Sequence, residues 1–178
     1  MSKSSVKKSI KDFEAPQLQE LILDLYGKSK EVKEILDFFA NPDIEKKSED
    51  YKSVLYKEAT RYSRRGYRPR MPRLRATIKR FRVLLEPGDE AVADLMVFVA
   101  LALIGLGEEG RHRDTLYDNI GKFVGETFVF LSEHGMLDDY MPQFRKAMSR
   151  LKPLGIGILK NPMLRVVESE FEKVGRQV

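Results

Sequence analysis

Apolar positions along most of this chain recur at the spacing of one helix face. Leu18, Leu21, Ile22 and Leu25 follow the i, i+3, i+4, i+7 rule. Pro16 suits the first helical position and Gly27 the residue just past the end. Val32, Ile35, Leu36 and Phe39 repeat the spacing, with Ser29 as N-cap and Asn41-Pro42 as the stop. The short link between these runs predicts an antiparallel helical hairpin over 15–41. A third helix is expected over 44–64, with Tyr51, Val54, Leu55, Ala59 and Tyr62 on its buried side. Gly66, Pro69 and Pro72 break it. A fourth covers 72–86, closed by Glu86-Pro87-Gly88, and a fifth covers 89–105.

Asp114 suits the N-cap of a sixth helix, carrying Leu116, Ile120, Phe123, Val124, Phe128 and Leu131 as far as His134-Gly135. The seventh carries Leu137, Tyr140, Met141, Phe144, Met148 and Leu151. A loop over 152–160 leads to an eighth with Leu164, Val167, Phe171 and Val174. No segment of useful length alternates with period two. The pattern therefore predicts an all-α fold of about eight helices, set as antiparallel hairpins in a bundle or short helical stack. One all-α domain is expected over 15–178, with 15–41 as a candidate subdomain. The polar segment 1–14 is expected to be flexible.

Composition narrows the chemistry. The chain has 178 residues and no cysteine, which excludes a disulfide scaffold, thiolate-held zinc or iron–sulfur clusters, and a thiol nucleophile. The longest apolar run, Ala91–Leu106, contains Asp94 and is flanked by Asp89, Glu90, Glu108 and Glu109. It falls short of the roughly 20 residues of a membrane span and reads as a core helix. The basic N-terminus lacks the apolar stretch of a secretory signal, so a cytoplasmic protein without membrane association is expected.

Charge is distributed unevenly. Residues 61–82 hold nine arginines and Lys79 without one acid, a formal +10 in a chain whose net charge is +5. The remainder therefore carries +5 − 10 = −5. The candidate anion-binding residues are Arg61, Arg64, Arg65, Arg68, Arg70, Arg73, Arg75, Lys79, Arg80 and Arg82. Arginines interleaved with Tyr62, Tyr67 and Phe81 could neutralise phosphates and stack on bases. The competing reading is a core-packed helix with a solvated basic face. Leu74, Ile78, Phe81 and Leu85 share one side of such a helix, and the surplus acids elsewhere can pair with its arginines.

Other motifs read as structure. Gly105-Leu106-Gly107-Glu108-Glu109-Gly110 has the form of a dinucleotide fingerprint, but it follows a helix-like run and holds two glutamates where a pyrophosphate would sit. Gly121 and Gly125 suit a close helix contact, and Gly155-x-Gly157 reads as a turn. His112 lies between two arginines, which disfavours a metal cation, and His134 lies at a helix end, where capping is natural. Neither has a second ligand at helical spacing. The acidic pairs Asp138-Asp139 and Glu168/Glu172 fall on helix starts and solvent faces. No catalytic residue, metal ligand or cofactor site is expected.

Several stretches together carry a family resemblance. They are Gln19–Asp37 with its Asn41-Pro42 stop, Arg64-Arg65-Gly66 with Arg68-Pro69 and Leu74-Arg75, Ala93-Asp94-Leu95-Met96, His134-Gly135-Met136-Leu137-Asp138, and Gly155-Ile156-Gly157. In these the chain resembles a small bacterial family known as domain of unknown function number sixty-one fifty-five. The resemblance implies an all-α fold and a bacterial source. It implies no activity and brings no catalytic residue to this chain. The expected function is a non-enzymatic helical interaction or structural module, partnering itself or another protein. The alternative is nucleic-acid or polyanion binding through 61–82.

Overall fold

The structure, a computed structural model, describes residues 2–153 and 160–175. The Gly155-x-Gly157 turn lies outside the described residues. The fold is all-α. Among the described residues it has nine α-helices, one 3-10 turn and a two-stranded ribbon. The chain divides into two compact units, Met1–Asp43 and Ile44–Val178.

The first unit holds α1 (Lys3–Ser9), α2 (Ala15–Lys28) and α3 (Lys30–Ala40). The sequence pattern gave no sign of α1, a single short helix with no buried residue, started by a capping box between Ser2 and Ser5. Pro16 lies in the first turn of α2, as expected. Gly27 lies inside α2 rather than beyond it, because the helix runs on to Lys28. Ser29 both closes α2 and caps α3, accepting from the Val32 amide at 3.3 Å. So abrupt a link folds α3 back on α2, and the Tyr26 hydroxyl donates to Asp37 Oδ1 at 2.8 Å across the hairpin. No residue described in this unit is buried.

The second unit holds α4 (Ile44–Ala59), β1 (Tyr62–Ser63), β2 (Gly66–Tyr67), α5 (Met71–Leu85), α6 (Asp89–Gly105), a 3-10 turn (Leu106–Glu108), α7 (Asp114–Glu133), α8 (Leu137–Ser149) and α9 (Pro162–Gly175). The third helix ends five residues short of the expected 64, because the chain enters the β1–β2 ribbon there. Two strands of two residues are too short to show a period, so the sequence pattern missed them.

Helix α6 is the centre of this unit and packs against α4, α5, α7 and α8. By length and composition Asp89–Glu108 could cross a membrane, but Leu95, Val99, Leu103 and Ile104 are fully buried inside the protein. Phe81, Phe123, Phe128 and Phe144 fill the space around it, the last two meeting edge to face at 4.8 Å. Gly121 and Gly125 let α9 approach α7. A Cβ at Gly121 would come within 2.5 Å of Val166 Cγ1, and one at Gly125 within 2.5 Å of Glu170 Oε2. Gly105 ends α6, Gly107 lies in the 3-10 turn, where a Cβ would meet Met163 Cβ at 2.7 Å, and Gly110 follows that turn with φ at +124°. That stretch is a helix end and turn with Leu106 and Gly107 buried, rather than a strand-to-helix phosphate turn.

Candidate functional site: a basic cleft beside the ribbon

The ten candidate cations separate into two groups once folded. Of those on and just before α5, Arg70, Arg73, Arg75 and Arg82 meet acids, and Lys79 makes no ion pair among the described residues. Glu58 on α4, only 14% exposed at its side chain, is approached by Arg73 Nε at 3.2 Å and Arg70 Nη1 at 3.6 Å. Arg75 binds Glu126, and Arg82 lies 3.6 Å from Asp89. Arg80 is engaged as well. Arg75, Lys79 and Arg82 edge a groove of about 910 Å³ floored by Ile78, Val92, Met96, Phe123 and Phe130, with Glu126 and Glu133 also lining it. This group follows the pairing reading of the sequence.

The ribbon arginines differ. Register pairs Tyr62 with Tyr67 and Ser63 with Gly66, leaving Arg64 and Arg65 in the turn. Gly66 makes the reversal with φ at +97°, a conformation that a side chain would strain. The Ser63 hydroxyl donates to the Gly66 carbonyl at 3.0 Å and accepts from the Arg65 amide at 3.3 Å. One step beyond the ribbon, the Arg68 amide donates to the Arg61 carbonyl at 2.8 Å. Like charges thus lie opposite each other, which is unfavourable without a counter-charge. Among the described residues, Arg61, Arg64, Arg65 and Arg68 make no ion pair.

A cleft of about 610 Å³ opens beside this ribbon. One wall carries Arg65, Tyr67, Arg68 and Pro69, and the other Arg111, His112 and Arg113 with Thr115, Leu116 and Asn119 at the start of α7. Among the described residues no carboxylate lines it. Arg111 and Arg113 also make no ion pair among the described residues. Arg113, not Asp114, is the N-cap of α7, and its side chain makes no capping bond. The Leu116 and Tyr117 amides donate to the Arg113 carbonyl, and the amides before them have no side-chain acceptor among the described residues. Asp114 is the first helical residue and a carboxylate near this helix end.

Aromatic rings tie the two walls together. Tyr67 meets Tyr62 edge to face at 5.0 Å and His112 at 5.8 Å. His112 is held by its backbone amide, which donates to the Tyr117 hydroxyl at 2.9 Å, and by its Nε2, 2.6 Å from the Leu106 carbonyl. Because a carbonyl only accepts, Nε2 carries a proton there. Burial, then the nearby Glu109 carboxylate, raise the Tyr67 hydroxyl above the usual tyrosine pKa. The cleft wall thus presents neutral phenol and fixed positive charge.

His134 closes α7, its Nδ1 lying 2.8 Å from the Phe130 carbonyl and its ring stacked on Phe130 at 4.2 Å. Among the described residues no three His, Asp or Glu side chains gather as a metal site requires. Sequence reasoning missed Arg111 and Arg113 as partners of the ribbon, since they lie more than forty residues from it. The one available signal was the Arg-His-Arg triplet directly ahead of a helix start.

A family model described as a family of unknown function, DUF6155, matches residues 1–151, and the chain belongs to that family. Neither a curated protein nor a solved structure matches it.

Proposed function

We propose that this member of the DUF6155 family is a non-enzymatic binding module whose cleft between the ribbon and α7 holds an anionic ligand. One observation carries the reading. Four arginines that make no ion pair among the described residues line one cleft together with the start of α7, and none of the described acids lines it. Guanidinium forks match phosphate and carboxylate oxygens, and uncapped helix amides favour the same charge. Binding is favoured over catalysis because His112, the ring closest to an acid–base role, has its Nε2 committed to a backbone carbonyl. The test is a thermal melt with pyrophosphate. The reading expects the melting temperature to rise with ligand, and not to rise when Arg65, Arg68, Arg111 and Arg113 are all Ala. An equal rise in both proteins contradicts it.

Self-association is a second reading, favoured by a separate observation. Within residues 2–43 nothing is buried, and α2 and α3 leave Ile22, Leu25, Ile35 and Phe39 exposed at 46%, 42%, 37% and 82%. Two helices without a buried residue lack the packing that normally stabilises them. Covering those four side chains would bury on the order of 400 Å² per copy, the scale of a weak interface. A second copy supplies the same face, and two hairpins together have the makings of a four-helix bundle. Sedimentation velocity should show a concentration-dependent dimer that Phe39→Asp abolishes. A monomer at all concentrations contradicts this reading.

A further inference from the structure

We infer that the cleft takes a phosphate monoester on a compact molecule rather than the phosphodiester backbone of a nucleic acid; the inference rests on the anion-binding reading above. The first argument is acceptor count. Arg65 and Arg68 approach from one wall and Arg111 and Arg113 from the other. A terminal phosphate offers three free oxygens and about 1.5 to 2 negative charges near neutral pH. A backbone phosphodiester offers two free oxygens and a single charge, so it leaves more of the four guanidiniums unanswered.

The second argument is shape. A cleft of about 610 Å³ lies within the range of roughly 300–1,000 Å³ typical of small-molecule sites. Tyr67, Pro69 and Leu116 give it apolar wall against which an organic body can lie.

The third argument is what surrounds it. A nucleic-acid strand needs positive charge that continues along its backbone. Beyond the ribbon much of the charge is met within the fold, since Arg70 and Arg73 meet Glu58, Arg75 meets Glu126 and Arg82 lies near Asp89. The arginines gathered at the cleft are four, Arg65, Arg68, Arg111 and Arg113. The α7 start brings amides without a side-chain cap, with the Asp114 carboxylate already in its first turn.

The test is calorimetric titration of the full chain at fixed salt with five probes. Three are inorganic phosphate, glycerol 3-phosphate and a nucleoside 5′-monophosphate. Two are diesters, a 3′,5′-cyclic nucleotide and a single-stranded DNA 20-mer. Each titration is repeated on the Arg68→Ala/Arg113→Ala double variant, whose helicity and melting temperature should match the parent. The inference expects at least one monoester to bind at least tenfold tighter than the cyclic diester, with that preference lost in the variant. DNA binding that the variant loses, with no monoester competing, overturns the inference but leaves an anion-binding cleft. Binding of no probe, or binding that the variant leaves unchanged, overturns both.

Discussion

Arg75 of α5 donates two hydrogen bonds, each 2.8 Å long, to the two carboxylate oxygens of Glu126 on α7. The same guanidinium lies over the Phe123 ring at 5.8 Å. This is an arginine in the service of the fold. Both partners are partly solvated, so the pair stabilises by about 0.5–1 kcal/mol. Arg75→Ala should lower stability in urea by about 1 kcal/mol, with the ring contact included. It should leave anion binding in the cleft unchanged, as titration would show.

Glu58 divides the basic segment. Its Oε2 is buried and makes no hydrogen bond among the described residues, and its charge is met by Arg70 and Arg73. Glu58→Ala therefore frees two arginines and should cost about 2 kcal/mol. Arg73→Ala should cost about 1 kcal/mol for leaving that carboxylate less compensated. Arg68→Ala, which breaks no ion pair, should stay within about 0.5 kcal/mol of the parent. Urea midpoints of the three variants check this ordering.

Asn161 is the best-connected buried polar side chain described. Its Nδ2 donates to the carbonyls of Gly107 and Lys152, both at 3.0 Å, and its Oδ1 accepts from the Met163 amide at 2.9 Å. It caps α9 and pins that helix to the 3-10 turn. Asn161→Ala leaves two carbonyls and an amide unanswered in the interior, and should cost about 2–3 kcal/mol. A thermal melt within 1 °C of the parent would contradict this account.

Alkaline pH should weaken the contact between α6 and α8. The Tyr140 hydroxyl donates to Asp94 Oδ1 at 2.5 Å. Burial first, and then the bond to Asp94 and its charge, hold the phenol well above the usual tyrosine pKa. The native state then keeps a proton that the unfolded chain has lost. The stability from this pair is whole below about pH 10 and falls as pH rises from there towards the folded value. Tyr140→Phe should cost about 1 kcal/mol at neutral pH. It should also make the decline above pH 10 shallower than the parent's, as urea titrations at successive pH values would show.

Long amphipathic stripes were readable before folding, and short or distant relationships were not. Leu95 to Leu106 declared a core helix because many apolar residues in a row leave little else to do. The α3 stripe was equally plain, although the structure leaves Phe39 82% exposed, since periodicity marks a face and not what covers it. The arginine cluster was visible as composition. Its division was not, because Glu58 and Glu126 reach Arg73 and Arg75 only through packing. The ribbon escaped notice because two residues cannot show alternation. The end of α5 broke a local rule, with Glu86 at φ +44° where glycine is usual.

The central claim is that the arginines around the cleft bind an anion while those of α5 hold the fold. Its most direct test is a calorimetric titration with pyrophosphate at two salt concentrations. Three proteins are compared: the parent, Arg75→Ala, and the variant with Arg65, Arg68, Arg111 and Arg113 replaced by Ala. The account predicts salt-sensitive binding to the parent and to Arg75→Ala, and none to the cleft variant, which still melts within a few degrees of the parent. Binding that survives loss of the four cleft arginines, or that disappears with Arg75 alone, would contradict it.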